Sequence, residues 1–211
     1  MEMYPAPSSQ QPYKPHQLVD GVRRDAAMGE GHERVELRTE RLVLRPFKLE
    51  DADDVFEYAS DDKWLRHLPG VSQPYTRKAA EEFVARQMLS SWETKPKFAI
   101  VLGGKGVGSI GVTVDQKNEI ASVGYRIARE HWGKGLMPEA AKAVIGWAFR
   151  EYGLAKVYAW TDPTNTQSQR VMEKLGMTRE GVLRSHGKGR DGRVDQVHYG
   201  ILREEWLEPN A

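Results

Sequence analysis

Stretches of alternating apolar and polar residues are separated along this chain by stretches whose apolar residues recur every three to four positions. Alternation predicts strands, and the longer spacing predicts helices. The predicted strands lie at 36–47, 97–102, 107–115, 119–128, 156–161, 178–184 and 194–202. The predicted helices lie at 49–58, 61–69, 76–92, 136–150 and 165–174. This order predicts an α/β (α+β) fold, with a mixed, mostly antiparallel central sheet of about seven strands and helices on both faces.

The N-terminal segment, residues 1–34, shows neither pattern. It is rich in Pro, Gln, Ser, Gly and charged residues, so it lacks the apolar surface that would offset the entropy of ordering. We expect a flexible or loosely docked N-terminal tail over 1–34, followed by one folded domain over 35–211. The alternative is an arm that covers a neighbouring subunit.

Charge and cysteine content narrow the classes of function. The 31 basic and 30 acidic residues give a net charge of +1, which argues against nucleic acid or an anionic membrane as the main partner. The absence of cysteine excludes disulfides, thiol nucleophiles and cysteine metal sites, and it fits a cytoplasmic location. No apolar run reaches the roughly 20 residues of a membrane-spanning helix, and the N-terminus lacks the apolar core of a signal peptide. The six histidines show no metal-ligand spacing, so no metal site is expected.

The stretch Val123–Ala140 carries the clearest candidate for ligand binding. Its strand-like start leads into a loop with Gly133 and Gly135, and then into the helix predicted from Leu136. Glycines let the backbone approach a ligand, and the first amides of a helix have no partners within it, so the stretch predicts an anion site. A tight turn before a helix is the alternative interpretation. The loop is too short for the phosphate loop of nucleoside triphosphate hydrolases.

A second glycine pattern, Gly106–Gly111, matches G-x-G-x-x-G but lacks the setting that dinucleotide binding requires. That motif needs a helix after it, whereas Val112-Thr113-Val114 continues as a strand. We therefore interpret these glycines as part of a hairpin.

The helix that begins near Asn165 supplies a second candidate. Asn165 is placed to cap the helix. A cap alone indicates helix stability and not ligand binding. Ser168 lies one turn further along. On the face toward the sheet it can give a proton to a ligand held between this helix and the one that follows the glycine loop.

These segments together resemble the GNAT superfamily of acetyl-CoA-dependent N-acetyltransferases, and within it the RimJ/RimL-like branch of ribosomal-protein N-terminal acetyltransferases and their relatives. Trp132–Ala140 is similar to the superfamily's pyrophosphate loop, and Asn165–Ser168 is similar to its N-x-x-S helix. Further similar segments are the opening strand, the turn after the second helix and the closing strands: Leu37–Pro46, Glu173–Met177 and Gly189–Trp206. The resemblance covers about residues 36–207 and implies a GNAT fold.

The resemblance also implies that acetyl-CoA is the co-substrate, without a metal. Its pyrophosphate would lie on the backbone amides from Gly133 to Met137, and its pantetheine arm would pair with the backbone near Ile127 and Arg129. Asn165 would bind this arm through its side-chain amide. Lys134, Arg170 or Lys174 would meet the adenosine phosphates. The set implied for acetyl-CoA is Ile127, Arg129, Gly133, Lys134, Gly135, Met137, Asn165 and Ser168.

Three positions depart from the superfamily pattern. Trp132 stands at the first position of the loop pattern [QR]-x-x-G-x-[GA] and Met137 at the last. These changes affect packing more than chemistry, because backbone amides serve the loop. Met172 stands where many relatives outside this branch have a tyrosine acid, so Ser168 would take that role here.

The implied reaction is direct attack of a primary amine on the thioester, without an acyl-enzyme. A backbone N–H near Ile127 would polarise the carbonyl, and Ser168 would protonate the leaving thiolate. Glu119 is the first candidate for the general base, acting through water, with Asp115 and Asp195 as its rivals.

The acceptor stays open among three functions. The first is acetylation of a protein or peptide N-terminus, the second is acetylation of a small amine such as a polyamine, an amino acid or an aminoglycoside, and the third is a CoA-binding module without catalysis. An acidic cleft would favour polyamines or aminoglycosides, and an open groove would favour peptides. Acceptor choice is expected to lie around Trp64, Tyr75 and Trp92 and in the final hairpin. Dimers are common in this branch, so a homodimer is a further expectation.

Overall fold

One nine-stranded sheet runs through the residues that the computed structural model describes, which are 22–24, 32–61, 71, 74–189 and 192–207. The strands are β1 Val22–Arg24, β2 Val35–Arg38, β3 Val43–Arg45, β4 Lys97–Leu102, β5 Lys105–Asp115, β6 Ile120–Ile127, β7 Lys156–Thr161, β8 Thr178–Lys188 and β9 Arg193–Leu202. They lie in the order β1-β2-β3-β4-β5-β6-β7-β9-β8. Every neighbouring pair is antiparallel except β6 and β7, which are parallel. The expected mixed, mostly antiparallel sheet is confirmed.

The first predicted strand, 36–47, is wrong as a single element because a turn divides it. The amide of Thr39 donates to the carbonyl of Leu42 at 3.0 Å, and the chain reverses between β2 and β3. The turn falls within the polar run Arg38-Thr39-Glu40-Arg41, which contains no glycine or proline to mark it. This division, together with β1, gives nine strands in the described residues where the sequence predicts about seven.

Five α-helices and one 3-10 helix accompany the sheet in the described part of the chain. They are α1 Asp51–Ala59, α2 Arg77–Met88, the 3-10 helix Arg129–His131, α3 Leu136–Tyr152, α4 Thr166–Lys174 and α5 Arg203–Leu207. The helix predicted at 61–69 lies almost wholly outside the described residues. Within those residues, no helix is both long and apolar enough to cross a membrane.

The helix predicted to reach Trp92 ends earlier, at Met88. Trp92 instead packs in the core beneath α3, with its ring centroid 4.9 Å from that of Phe98 and 6.0 Å from that of Trp147. Tyr152 Oη donates to the carbonyl of Trp92 at 2.5 Å. These contacts require the chain to leave the helix before Trp92.

The sheet carries a hydrophobic core on each face. In β4, Phe98 and Ile100 belong to the core under α3, whereas Ala99 and Val101 belong to the core under α1 and α2. This alternation follows from the pleat of a strand, which sends successive side chains to opposite faces. The expected helices on both faces are therefore confirmed.

β6 and β7 pair at one end only. Their parallel register joins Ile120–Ser122 to Lys156–Tyr158. Beyond it, β6 continues to Ile127 beside β5, and β7 continues to Thr161 beside β9. The two strands therefore diverge and leave a gap in the middle of the sheet.

A small part of the predicted tail falls among the described residues. Val22–Arg24 pairs with β2. His32 lies against α3, with its ring 4.6 Å from that of Tyr152 and its Nδ1 3.1 Å from Glu151 Oε1. The flexible or loosely docked tail over 1–34, and its boundary with the domain over 35–211, stay predictions.

A buried ion pair between Arg45 and Asp51 ties β3 to the start of α1. The Arg45 Nη1 and Nη2 atoms donate to Asp51 Oδ2 and Oδ1 at 2.8 and 2.7 Å, and the amide of Lys48 donates to Oδ2 at 2.8 Å. The hydrogen bond to Asp51 raises the pKa of Arg45 despite the opposing effect of burial. Both oxygens of the Asp51 side chain therefore accept hydrogen bonds from Arg45.

We expect Asp51→Asn to lower the free energy of unfolding by about 3 kcal/mol, because Arg45 would stay buried without its counter-charge. Asp53→Asn on the same helix is the matched control. The Asp53 side chain is exposed and its ion pair with Arg77 lies on the surface, so its loss should stay below about 1 kcal/mol. Urea unfolding followed by circular dichroism measures both, and equal losses in the two variants would contradict the expectation.

Candidate active site

The loop before α3 is shaped by two glycines in the left-handed backbone region. Gly133 and Gly135 have φ values of 75° and 76°, which residues with a Cβ disfavour. α3 begins at Leu136, and Pro138 in its first turn has no amide hydrogen to satisfy. The amides of Leu136 and Met137 have no partner within the helix, so they are placed to bind an anion at the positive end of the helix dipole.

Arg41 fixes this loop to the turn between β2 and β3. Its Nε donates to Glu139 Oε2 at 2.7 Å, and its Nη1 donates to the carbonyl of Lys134 at 3.0 Å. Thr39 Oγ1 and the amide of Arg41 donate to Glu139 Oε1 at 2.6 and 2.9 Å. Burial acts to raise the pKa of Glu139, but the hydrogen bonds from Thr39 and Arg41 outweigh it and lower the pKa. A charged carboxylate therefore holds the loop in place, and the loop's own amides are left for a ligand.

One cavity of about 1010 Å³ extends from this loop into the gap between β6 and β7. The diverging parts of both strands line it, with Val123–Ile127 on one side and Ala159–Thr161 on the other. Successive residues of a strand face opposite sides of the sheet. Because consecutive residues of β6 line the cavity, the cavity reaches both faces of the sheet. On the side of α4 the lining includes Asn165, Ser168, Arg170 and Lys174.

Ser168 lies in the wall of this cavity against Tyr125 of β6. Its Oγ is 3.1 Å from Tyr125 Oη, and Oη also donates to the carbonyl of Ser168 at 3.2 Å. Asn165 caps α4, since its Oδ1 accepts from the amide of Ser168 at 3.1 Å. The cap and the phenol together fix where the serine hydroxyl lies.

The phenol of Tyr125 is protonated at neutral pH. Burial raises the pKa of Tyr125 to about 12, against a smaller opposing effect of the hydrogen bond with Ser168. The single phenol hydrogen is shared between the carbonyl and Oγ of Ser168, and when it points to Oγ the serine keeps its own proton for a third atom in the cavity. Hydrogen bonds in such a chain strengthen one another, which suits the serine to give its proton to a leaving group.

Similarity to known proteins identifies the family of the chain. The family model described as "Acetyltransferase (GNAT) domain" matches residues 41–178, more than half of the chain. The chain belongs to the GNAT family. Among its relatives, an uncharacterized N-acetyltransferase of Bacillus licheniformis, p20, is 31% identical over 173 residues, which cover 81% of this chain and 97% of that protein. The resemblance seen in the sequence is therefore confirmed, and with it acetyl-CoA-dependent N-acetyltransferase activity.

Solved structures share the GNAT fold. An acetyltransferase (GNAT family) from Bacillus anthracis has a TM-score of 0.72 at 31% identity, with 81% of this chain and 99% of that chain covered. A ribosomal-protein-S5-alanine acetyltransferase from Vibrio fischeri has a TM-score of 0.70 at 21% identity, with 82% and 99% covered. The second likeness concerns the fold alone.

The GNAT cavity brings together most of the residues that the sequence assigns to acetyl-CoA. Six of them line it: Ile127, Gly133, Gly135, Met137, Asn165 and Ser168. Lys134 gives its carbonyl to Arg41, and Arg129 is exposed, with its Nε 2.5 Å from Asp61 Oδ2. The side chains of Lys134 and Arg129 are not part of the lining.

None of the three carboxylates predicted as a base lines the cavity. Glu119 lies in the turn before β6, at the opposite end of that strand from the glycine loop, and its carbonyl accepts from the amide of Ala155 at 2.7 Å. Asp115 hydrogen-bonds within the same turn, and Asp195 hydrogen-bonds within the hairpin of β8 and β9. The structure therefore does not bring Glu119 or its rivals to Ser168.

Several lining residues were not singled out from the sequence, and those that bear most on the chemistry are Tyr125, Lys97 and Arg126. Arg126 had a signal, because a charged residue in the middle of a strand between apolar neighbours is unusual. Lys97 lies near Arg126 only because of the register between distant strands, and the sequence around Lys97 does not indicate that register.

The three aromatic residues expected to determine the choice of acceptor do not lie together in one site. Trp92 is buried in the core beneath α3 and is not part of the cavity lining, so this assignment is wrong. Tyr75 is partly buried and lies near Arg126. Burial raises the pKa of Tyr75, and the positive charge of Arg126 acts in the opposite direction. Trp64 lies outside the described residues.

We expect Arg41→Gln to raise the KM for acetyl-CoA by up to about tenfold, with a smaller change in kcat, because the loop loses its charged hydrogen bonds. Arg38→Gln on β2 is the matched control, since Arg38 pairs with Glu36 of its own strand and lies outside the cavity. Initial rates at varied acetyl-CoA measure the effect. An unchanged KM in Arg41→Gln would show that the loop keeps its shape without this contact.

Proposed function

We propose that this GNAT enzyme transfers the acetyl group of acetyl-CoA to a primary amine by direct attack in a ternary complex. The observation that carries the proposal is the cavity that starts at the glycine loop, enters the gap between β6 and β7 and has Ser168 in its wall. The amine nitrogen forms a bond to the thioester carbon, the carbon–sulfur bond breaks, and the thiolate takes the proton of Ser168. The nitrogen gives up one proton as the amide forms, and Ser168 regains a proton through solvent. The chain has no cysteine, and this route needs no residue to carry the acetyl group.

In this proposal the donor lies along the wall between α3 and α4. The amides of the glycine loop and of Met137 bind the pyrophosphate, as helix N-termini bind anions. Arg170 and Lys174, which line the same cavity from α4, meet the adenosine phosphates. The backbone at Ile127 and the side chain of Asn165 border the pantetheine arm. Arg129 and Lys134 have no side-chain role, because neither side chain faces this cavity.

The acceptor loses its ammonium proton to solvent before the attack and therefore enters as the free amine. Glu119 is too far along β6 to serve, and of the described residues that line the cavity only Glu173 has a carboxylate. Glu173 is exposed on α4, where Tyr199 Oη donates to its Oε1 at 3.3 Å. We therefore assign no carboxylate base.

A protein or peptide N-terminus is the acceptor that we propose first. The size of the cavity supports it, and so does the acceptor named for the Vibrio fischeri neighbour of the same fold. A small amine is the alternative. The contact between Ser168 and Tyr125 favours an enzyme over a module that only binds CoA. The homodimer and the cytoplasmic location stay predictions.

The roles of Ser168 and Tyr125 can be separated by two substitutions. We expect Ser168→Ala to lower kcat by about 100-fold with little change in the KM for acetyl-CoA, because the leaving thiolate loses its proton donor. Tyr125→Phe keeps the ring and removes only the hydroxyl, so kcat should fall by a smaller factor, about tenfold. Tyr158→Phe on β7, outside the cavity lining, is the control. If Ser168→Ala keeps the wild-type kcat, the serine is not the acid.

Release of CoA thiol, measured with a panel of N-terminal peptides and small amines, tests the function itself. The proposal predicts turnover with at least one N-terminal peptide, and a strong loss of that turnover in Ser168→Ala. Tight CoA binding without turnover across the whole panel would favour the non-catalytic module.

A further inference from the structure

The face of the sheet under α1 and α2 is open where β4, β5 and β6 lie side by side. The register places Lys97 opposite Gly111, Gly111 opposite Gly124, and Ser109 opposite Arg126. Residues directly opposite one another share a face of the sheet, and all five line the cavity. Gly111, Gly124 and Ser109 fill little space. The side chain of Lys97 lies over Gly111, where an added Cβ would meet its Cδ at 2.5 Å, whereas a Cβ added at Gly124 would meet nothing within 4 Å. The open space at Gly124 is a trough that is bordered by the long cationic side chains of Lys97 and Arg126.

Neither cation of this trough has a carboxylate partner in the described part of the chain. No ion pair or hydrogen bond there joins Lys97 or Arg126 to an acidic side chain. The Arg126 guanidinium instead lies over the ring of Phe83, with its Cζ 5.0 Å from the ring centroid. Guanidinium over a ring face is a favourable contact, but it leaves the N–H donors of the arginine without an anion.

Burial and mutual repulsion make these cations costly. Burial lowers the pKa of Lys97, and the positive charge of Arg126 adds to this effect. Burial also lowers the pKa of Arg126, with a further contribution from Arg86. An anion bound between Lys97 and Arg126 would offset both burial and repulsion.

The trough lies on the opposite face of the sheet from the proposed acid. Tyr125, which contacts Ser168, packs against the core under α3, whereas its neighbour Arg126 lies over Phe83 of α2. The gap between β6 and β7 joins the two sides. If acetyl-CoA reaches the gap from the side of α4, then the trough is the space left for the acceptor.

Resting on the acetyl transfer proposed above, we infer that the acceptor amine carries an anionic group, a carboxylate or a phosphate, which binds to Arg126 and Lys97. The fork of the guanidinium matches either group. Binding there leaves the amine of the same molecule to reach the thioester through the gap. Polyamines and aminoglycosides, which are polycations, are repelled by the same two side chains.

The test uses acceptors in matched pairs that differ in one charged group. The pairs are glycine and glycinamide, phosphoethanolamine and ethanolamine, and short peptides with Asp or Asn at the second position. These arms distinguish a free amino acid, an amino phosphate and an acidic peptide as the source of the anion. The members of a pair can also differ in amine pKa. The readout is therefore the kcat/KM of the anionic member divided by that of the neutral member, and this ratio is compared between wild-type enzyme and each variant. Intrinsic reactivity cancels in that comparison.

We expect wild-type enzyme to prefer the anionic member of at least one pair, and Arg126→Gln to lower that preference at least about tenfold. Arg126→Lys should keep part of it, and Lys97→Gln should also lower it. Lys142→Gln, which changes an exposed cation outside the cavity lining, should leave the ratio unchanged. A purely structural role of Arg126 would lower thermal stability without changing the ratio. If Arg126→Gln does not fold, Lys97→Gln carries the test.

Failure of this inference can be told apart from failure of the proposed function. Equal kcat/KM for both members of every pair, a ratio that survives Arg126→Gln and Lys97→Gln, or a preference for spermidine would overturn the inference while acetyl transfer stands. If no amine is acetylated, isothermal titration of the same pairs into CoA-saturated protein decides. Tighter binding of an anionic member that is lost in Lys97→Gln supports the anion site, and equal binding rejects it.

Discussion

The separation of β6 from β7 is the constraint on which the rest of this structure depends. The two parallel strands pair over Ile120–Ser122 and Lys156–Tyr158 and then diverge, while each stays paired to its other neighbour. Backbone groups along such a gap need partners, and the amide-bearing arm of CoA is an extended polar chain that can supply them. The gap explains how one cavity comes to reach both faces of a continuous sheet.

Two sets of side chains, one on each face of the sheet, border this gap. On the side of α3 and α4, the glycine loop is held by Arg41 and Glu139, and Ser168 is held by Asn165 and Tyr125. On the side of α1 and α2, small side chains leave a trough beside Lys97 and Arg126, which have no carboxylate partner among the described residues. If donor and acceptor bind as we propose, they meet different faces of the sheet.

The local sequence predicts structure well where the backbone conformation requires one type of residue. The left-handed conformations of Gly133 and Gly135 and the cap by Asn165 follow from such requirements, and the order of strands and helices follows from periodicity. Glu119 was named because it adjoins β6 in sequence, but a strand of this length carries its two ends far apart. Lys97 and Arg126 meet only through pairing of β4, β5 and β6, which no local pattern specifies.

A crystal structure of the chain with bound CoA tests the central claim most directly. The account predicts the pyrophosphate on the amides between Gly133 and Met137, the pantetheine arm between β6 and β7, and the CoA sulfur within about 4 Å of Ser168 Oγ. CoA bound outside the gap, or with its sulfur on the far side of the sheet from Ser168, would contradict the account.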